Sequence, residues 1–252
     1  MNKISIIIPT YSSPISLDLC LNSCIEGCSD LNNIEVIVGV DGKYDLNKPV
    51  LDKYKDKINV LVSEDNLGLP RMLNTLVCNT SYEKILVVCD DNVFQKDFDK
   101  ILLEEDLDGI VLSINQIEPK PSIFPQFKIE PSIGEDPTKF DVNQLNKYVL
   151  SIDPIRNDNS GGTLPFLIQK VDWNRVGGWD IEYPTNGMVA DIDFFHKCLL
   201  SKMKLMRTYK CHFYHFSSLT VNGIDRQIGE QKAYEYSKHK WGYYVPHPMI
   251  VS

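Results

Sequence analysis

Residues 84–94 read Lys-Ile-Leu-Val-Val-Cys-Asp-Asp-Asn-Val-Phe, so an unbroken apolar run leads directly into two adjacent acids. The run from Ile85 to Cys89 is short, rich in branched side chains and not alternating, which is typical of a parallel strand buried on both faces. Burying Asp90 and Asp91 as bare charges would cost on the order of several kcal/mol, which a divalent cation would remove. Mg²⁺ and Mn²⁺ take oxygen ligands and share them with substrate phosphates. The segment therefore predicts a metal–diphosphate site, and the alternative is an exposed turn that holds two acids.

The overall composition is typical of a soluble globular protein and argues against one class of partner. Of the 252 residues, 43% are hydrophobic and 24% are charged, and the net charge is −8. An acidic chain lacks the basic face needed for non-specific binding to nucleic acid, so nucleic acid is not an expected partner. No run reaches the ~18 apolar residues of a transmembrane segment, and Pro9 ends the first apolar run too early for a signal peptide.

The seven cysteines are interpreted as reduced thiols, because their number is odd and no secretory signal precedes them. Cys20, Cys24 and Cys28 recur at helical spacing. The first and last would lie about 12 Å apart along a helix that rises ~1.5 Å per residue, too far apart to share a metal ion. We therefore predict a buried helix face and a cytoplasmic protein, with peripheral attachment to a membrane left open.

Apolar runs and helical spacing alternate along the first part of the chain. Strands are predicted at residues 3–8, 34–40, 58–62 and 85–89. Helices are predicted between them, at residues 14–28, 48–54 and 67–78. This order is typical of an α/β protein with a parallel sheet, in which ligands bind beyond the carboxyl ends of the strands.

The pattern is less regular beyond residue 94. Five prolines within residues 118–138 predict a loop. Further helices are predicted at residues 97–103, 140–150, 191–200 and 224–240, and further strands at residues 110–114, 164–169, 203–208 and 211–215. Because no linker or repeat interrupts these elements, we expect a single domain over residues 1–252.

Polar residues follow three of the predicted strands. Thr10 and Tyr11 follow the first strand, Asp41 follows the second, and Asp90 and Asp91 follow the fourth. The carboxyl ends of parallel strands meet at one edge of a sheet, so these side chains are expected to converge. Such a convergence is much less likely to arise by chance than any one polar strand end.

The ordered set of motifs resembles the GT-A glycosyltransferases, and within them the large family-two group of inverting enzymes. The matching segments are residues 6–11, 36–42, 66–71, 90–92, 176–180 and 190–194. Two positions depart from the family pattern: Val40 replaces the first acid of the second segment, and Ala190 replaces the glutamate that would lead the last. The resemblance implies a GT-A fold, Rossmann-like with a mostly parallel central sheet flanked by helices. It divides the chain into a nucleotide-sugar-binding half at about 1–115, an acceptor half at about 116–216, and a C-terminal helix and tail at 217–252.

The resemblance also implies a set of donor-binding residues. They are Pro9, Thr10, Tyr11, Asp41, Asn66, Arg71 and Asp90. Asp41 would accept the imide N–H of a uracil or thymine ring, since a carboxylate only accepts hydrogen bonds; alternatively, it caps its own turn. Thr10 and Tyr11 would line the base, and Asp90 would contact the ribose hydroxyls. Arg71 would contact the base edge or the diphosphate, or is a solvated helix residue.

The implied cofactor is Mn²⁺ or Mg²⁺, held by Asp91. Residues 215–218, His-Phe-Ser-Ser, resemble a late motif whose histidine completes the metal shell in some related enzymes. We therefore expect His215, rather than His212, to be the second ligand. The alternative is an ordinary hydrogen-bonded histidine.

Asp191 is the expected catalytic base. In an inverting transfer the acceptor hydroxyl loses its proton to a carboxylate or imidazole within hydrogen-bond reach. Asp191 begins a predicted helix, where a carboxylate is also a good capping residue. Asp193 would face elsewhere on that helix, so one of the two acids is expected to be structural.

These features predict a metal-dependent inverting glycosyltransferase of the hexosyl- or N-acetylhexosaminyltransferase class. The expected donor is a nucleoside-diphosphate sugar, in particular a UDP-sugar, and the acceptor is a glycan, a lipid-linked molecule or a protein. The alternatives are a retaining GT-A transferase and an inactive GT-A domain that binds a sugar or a protein. A sugar nucleotidyltransferase is disfavoured, because residues 9–12 read Pro-Thr-Tyr-Ser rather than a glycine-rich basic loop.

Overall fold

Strand β1 (Ile4–Thr10) lies inside a mixed sheet and has a parallel neighbour on each side. The computed structural model describes residues 3–122, 124–153, 155–184, 187–216 and 223–248, without the side chains of residues 223–226. The other strands are β2 (Ile34–Asp41), β3 (Asn59–Ser63), β4 (Lys84–Val87), β5 (Asn92–Phe94), β6 (Ile110–Glu118), β7 (Lys128–Ile129), β8 (Phe166–Gln169) and β9 (Lys204–His215). The helices are α1 (Pro14–Gly27), α2 (Tyr44–Tyr54), α3 (Leu69–Cys78), α4 (Phe98–Leu103), α5 (Val142–Leu150), α6 (Lys170–Val176), α7 (Ala190–Leu200) and α8 (Gly223–Trp241).

The first part of the sheet consists of four parallel strands in the order β3-β2-β1-β4. Every side chain from Ile4 to Ile8 is buried, because helices cover both faces. Ile4, Ile6 and Ile8 pack with apolar residues of α1, α2 and α4, whereas Ile7 packs with residues of α3, α6 and α7. The parallel α/β half is therefore confirmed. Cys20 and Cys24 are buried on the inner face of α1, as their spacing predicted, whereas Cys28 lies just past the end of the helix and is only partly buried.

The second part of the sheet is mixed, in the order β4-β8-β6-β9-β5. Strand β8 is antiparallel to both β4 and β6, and β9 is parallel to β6. Two successive antiparallel pairings restore the original direction, so β6 and β9 run the same way as β1, β2 and β4. The carboxyl ends of all five strands therefore reach the same edge of the sheet.

Several predicted elements differ from the structure. The two short strands expected at residues 203–208 and 211–215 form one strand, β9, with a register shift opposite Ile114 and Asn115. The predicted strand at 85–89 ends at Val87, and the chain returns after a turn as β5, which was not predicted because it has only three residues. Helix α6 was not predicted either. Among the described residues, no helix is long and apolar enough to cross a membrane.

Helix α8 is tied to α7 by a buried ion pair. Lys240 Nζ lies 2.8 and 2.9 Å from the two carboxylate oxygens of Asp193, whose side chain is fully buried. The same ammonium lies 2.7 Å from Asp180 Oδ2. Trp241 Nε1 donates to Asp193 at 2.8 Å. These contacts fix the end of α8, and with it the start of the C-terminal tail, against α7.

We expect Lys240→Met to lower the free energy of unfolding by about 3–5 kcal/mol, because it leaves the buried Asp193 carboxylate without its main compensating charge. Urea unfolding monitored by circular dichroism would measure the change. Lys232→Met, an exposed position on the same helix, is the matched control and should change stability by less than about 0.5 kcal/mol. Equal loss in the two variants would contradict this role for the ion pair.

Candidate active site

The carboxyl ends of β1 and β4 are joined by a side-chain hydrogen bond. Thr10 Oγ1 donates to Asp90 Oδ2 at 2.7 Å. The two strands pair in register up to Ile7 and Val87, and the Val88 N–H donates to the Ile7 carbonyl at 3.1 Å just beyond. The predicted convergence of the first and fourth strand ends is therefore present in the structure.

Asp90 is a carboxyl group in an unfavourable environment for its charge. Burial raises its pKa, and the negative charge of Asp91 raises it further, to about 7, although the hydrogen bond from Thr10 acts in the opposite direction. Both causes are those expected where two carboxylates are crowded at a buried strand end. A cation at this edge would remove the repulsion that raises the pKa.

Asp91 lies beside His215 at the end of β9. His215 Nε2 is 3.5 Å from Asp91 Oδ2, and His215 Nδ1 is 2.8 Å from Glu118 Oε1 at the end of β6. The backbone holds this arrangement, because Asn92 pairs with His215 in the sheet and the Phe216 N–H donates to the Asp91 carbonyl at 3.3 Å. One imidazole thus bridges two carboxylates that come from different strands.

The two late histidines have different environments. Burial alone would lower the pKa of His215, but the charges of Asp91 and Glu118 outweigh it and raise the pKa. His212 is buried away from the acids, and burial lowers its pKa to about 4. Of the two, only His215 lies beside Asp91. Ser217 and Ser218, the rest of the predicted late motif, lie outside the described residues.

The Asp91 and His215 side chains suit a divalent ion as a pair of ligands. A carboxylate oxygen and an imidazole nitrogen are both ligands that Mn²⁺ accepts, and such ions commonly take only one or two protein ligands beside substrate phosphates. Within the described ranges, no group of three or more His, Cys, Asp or Glu side chains is arranged to hold a metal ion. The remaining ligands would therefore have to come from a bound diphosphate or from water.

Asp41, at the end of β2, binds the segment that opens α3. Its two oxygens accept the backbone N–H groups of Leu67 at 2.6 Å and Gly68 at 2.9 Å. Burial raises the pKa of Asp41, and these two hydrogen bonds lower it. Each carboxylate oxygen has a second lone pair, so a base imide could still be accepted. Asp41 does not cap its own turn; its role in base binding stays a prediction.

Tyr11 follows the last residue of β1 and is exposed to solvent, and its role in lining the base stays a prediction. Its ring is 41% exposed and lies beside Gly42, where a Cβ atom would come within 3.4 Å of the Tyr11 ring. Asn66 is exposed nearby, and its side-chain oxygen accepts the Gly68 N–H at 3.0 Å. Pro9 pairs with Gly39 one residue before the strand ends.

Arg71 extends from the first turn of α3 toward the loop that follows α6. Its guanidinium lies 3.6 Å from the Glu182 carboxylate, and both side chains are largely exposed. An exposed ion pair of this kind contributes little to stability. Arg71 is thus free to exchange Glu182 for an anionic ligand, and its donor contact stays a prediction.

Asp191 lies in the first turn of α7, and the residue that precedes this helix, Val189, has a strained backbone. Val189 precedes the helix with φ of 64°, a left-handed conformation that a β-branched residue rarely adopts. Gly187 packs so closely on Pro70 at the start of α3 that a Cβ atom there would lie 2.3 Å from the proline ring. The chain entering α7 is therefore pressed against α3, which limits where Asp191 can lie.

Cys89 directly precedes the acidic pair and is partly exposed. Burial raises the pKa of Cys89, and the charges of Asp91 and Asp90 raise it further. The charge of Asp191 acts on the same thiol. Asp191 is itself half-buried, and burial raises its pKa. Asp193, in contrast, is fully engaged by Lys240 and Trp241, so the two acids of α7 have separate roles, as the sequence suggested.

Glu118 is a site residue that the motifs did not indicate. It is only 4% exposed and fixes the orientation of His215 by accepting from, or pairing with, Nδ1. A signal for it was present, because Glu118 is an acid that follows the apolar Ile117 at the end of β6. The predicted strand at residues 110–114 stopped too early to place Glu118 at the edge of the sheet.

Comparison with known proteins assigns the first part of the chain to a family. Residues 5–147, more than half of the chain, match the model described as Glycosyl transferase family 2. A poly(ribitol-phosphate) beta-N-acetylglucosaminyltransferase, TarS of Staphylococcus aureus strain Mu50, is 32% identical over 100 residues. These residues make up 38% of this chain and 18% of TarS, so the matched region spans less than a fifth of that relative.

Solved structures support the same fold over nearly the whole chain. The crystal structure of S. aureus TarS 1–349 superposes with a TM-score of 0.63 at 17% identity and covers 96% of this chain and 72% of that one. The complex of TarS 1–349 with UDP-GlcNAc gives 0.59 at 18% identity, covering 96% and 73%. At such identities the likeness concerns the fold, and it confirms the predicted GT-A class.

We expect Asp41→Ala to lower the free energy of unfolding by about 1–3 kcal/mol, because two backbone N–H groups at the start of α3 lose their acceptor. Urea unfolding would measure this. Asp65→Ala, an exposed acid in the same loop, serves as the control and should change stability by less than about 0.5 kcal/mol. A negligible effect of Asp41→Ala would mean that water replaces the carboxylate at little cost.

Proposed function

This chain belongs to glycosyl transferase family 2, and we propose that it transfers a sugar from a UDP-sugar to an acceptor hydroxyl with inversion at the anomeric carbon. The observation that carries the proposal is the convergence of three acids and one imidazole at one edge of the sheet. Asp90 is held by Thr10, Asp91 lies beside His215, and Glu118 contacts the same imidazole at 2.8 Å.

A uridine donor is supported by two features of the nucleotide end. Tyr11 offers an exposed ring beside Gly42 on which a base can stack. Asp41 retains acceptor capacity for an imide N–H. The complexes of TarS with UDP and with UDP-GlcNAc make N-acetylglucosamine the first sugar to test.

Asp91 and His215 would hold Mn²⁺ or Mg²⁺, with Glu118 keeping the imidazole oriented. Bound there, the ion would supply Lewis-acid stabilisation of the negative charge that develops on the departing diphosphate. Asp90, next to this position, would accept hydrogen bonds from ribose hydroxyls, while Thr10 holds its carboxylate in place.

Asp191 would act as the general base. The acceptor oxygen forms a bond to the anomeric carbon from the face opposite the diphosphate, the bond to the diphosphate oxygen breaks, and the acceptor proton passes to the Asp191 carboxylate. Burial raises the pKa of Asp191 and so makes it a better proton acceptor than an ordinary aspartate. No covalent intermediate with the protein is needed.

The two departures from the family pattern do not remove an acid from this cluster. Val40 and Ala190 are both fully buried among apolar residues. An active transferase is therefore favoured over an inactive binding module. The acceptor type and the cytoplasmic location remain predictions.

Binding of UDP should depend on Mn²⁺ and on Asp91. In calorimetric titrations of a panel of nucleoside diphosphates, we expect UDP to bind most tightly, and only with the ion present. Asp91→Asn should weaken UDP binding at least about tenfold, because the amide is a poorer ligand. Asp97→Asn is the matched control, since Asp97 is partly exposed and pairs only with Lys100 among the described ion pairs. Binding of no diphosphate to the wild type would overturn the proposed function.

Asp191→Asn should lower kcat by about 10²–10⁴-fold and leave the Kd of UDP unchanged, because the amide cannot accept the acceptor proton. Steady-state transfer assays and calorimetry measure the two quantities. The same substitution two residues on, Asp193→Asn, should instead lower stability, since it disrupts the ion pair with Lys240. Full transfer activity in Asp191→Asn would assign the base elsewhere.

A further inference from the structure

Strands β6 and β9 change register partway along their length. Up to Ile114, which is paired with Thr208, the two strands keep one register. The next pair is Asn115 with His212, so residues 209–211 of β9 are extra relative to β6. An irregularity of this kind changes the direction of the side chains beyond it and is common next to active sites.

The shift decides which of the two late histidines reaches the edge of the sheet. In the register that follows the shift, His215 lies opposite Glu118, and their side chains are 2.8 Å apart. If the first register continued, His212 would lie opposite Glu118, and His215 would lie beyond the end of β6. The geometry of the proposed metal site therefore depends on the interactions that hold the shift in place.

The first pair after the shift carries buried polar atoms that have no protein partner. Asn115 is fully buried, and neither its side-chain nitrogen nor its side-chain oxygen has a hydrogen-bond partner among the described residues. His212 is 2% exposed, and its Nε2 atom also lacks a partner within the described ranges. Burying a polar atom without a partner costs free energy, and native proteins commonly satisfy such atoms with an ordered water molecule.

The chemistry of these three atoms suits a water molecule better than an ion. The Asn115 amide offers both donors and an acceptor, and a neutral imidazole nitrogen is either a donor or an acceptor, so a water molecule can match each of them. Burial lowers the pKa of His212, and the charge of Lys128 lowers it further, to about 4, so the imidazole is neutral. A cation would be repelled by Lys128, and an anion would face the Asn115 oxygen, which only accepts hydrogen bonds.

One water molecule can reach both side chains. Neighbouring strands lie about 4.8 Å apart, and paired residues of parallel strands project from the same face of the sheet. The backbone N–H of His212 donates to Gln95 Oε1 at 2.7 Å, so His212 is also fixed from the side of β5. A water bridge from Asn115 to His212 would therefore join β6 and β9 where residues 209–211 interrupt their regular pairing.

We infer that Asn115 and His212 together bind a buried water molecule, and that this bridge holds the register in which His215 lies opposite Glu118. Both are positioning residues, because they act through His215 and touch neither substrate nor reacting atoms. The inference rests on the proposed function only for the role of His215 as a metal ligand.

A high-resolution crystal structure of the full chain tests the water site directly. We expect an ordered water within hydrogen-bond distance of the Asn115 amide and of His212 Nε2. Oxygen-17 relaxation dispersion tests the same point in solution, because it detects long-lived internal waters, and Asn115→Leu should remove this one. Asn59→Leu, at an exposed position on β3, is the matched control and should leave the signal unchanged.

The link to the site is tested by the affinity for Mn²⁺, measured by electron paramagnetic resonance in the presence of UDP. Asn115→Leu and His212→Leu should raise the Kd of Mn²⁺ about three- to tenfold, because His215 is less precisely placed. His212→Gln should keep the Kd within about twofold of the wild type, since its amide can bind the same water. Equal losses in His212→Leu and His212→Gln would contradict the bridge.

The inference is overturned if the wild-type crystal shows Asn115 bonded directly to His212, or an ion such as chloride between them. It is also overturned if the leucine variants lose the water but keep the contact between His215 and Glu118. Should the leucine variants not fold, the wild-type and His212→Gln crystals decide, since the water must be present in both. A wild type that binds no UDP or Mn²⁺, yet holds the water and loses the contact in Asn115→Leu, supports the bridge and removes the proposed function.

Discussion

The hydrogen bond from Thr10 to Asp90 joins two parallel strands at the point where both end, and the rest of the site is arranged around that edge. Burial raises the pKa of Asp90, and repulsion by the neighbouring Asp91 carboxylate raises it further, to about 7. Because β8 is antiparallel to both β4 and β6, strands β6 and β9 run in the same direction as β4. Glu118 and His215, at the ends of β6 and β9, therefore lie at the same edge of the sheet as Asp90. The topology of the sheet thus places an imidazole next to the carboxylates whose charge it can partly compensate.

The parts of the fold that could be predicted from sequence are those governed by local patterns. The strands β1, β2 and β4 are apolar runs that are largely buried, and β3 is a half-exposed strand at the edge of the sheet. The helices between these strands follow from spacing, so the α/β class and the strand-end position of Asp90 could be predicted. The separation of Asp191 from Asp193 was also anticipated, because residues two apart on a helix point in different directions. In each of these cases the determining interactions lie close together in sequence.

The remaining features depend on contacts between distant residues. The continuity of β9 is set by its pairing with β6 across a register shift, which no local pattern encodes. The anchor of α8 requires Lys240 to meet Asp180 and Asp193, about 50 residues or more earlier. Glu118 could not be placed at the edge of the sheet from the sequence, because the predicted strand ended at residue 114 and β6 extends to residue 118. The family match ends at residue 147, so the proposed base and the second metal ligand lie in the part of the chain where such long-range contacts decide the structure.

Val189 holds a left-handed conformation immediately before α7 and two residues before Asp191. Such a conformation in a β-branched residue costs on the order of 1–3 kcal/mol, which glycine would largely avoid. Selection for stability alone would therefore favour glycine at this position, whereas selection for a rigidly placed carboxylate favours the residue that has fewer alternative conformations. Glycine at position 189 would relieve the strain and loosen the start of α7 at the same time, so thermal robustness and precise placement of Asp191 conflict at this residue.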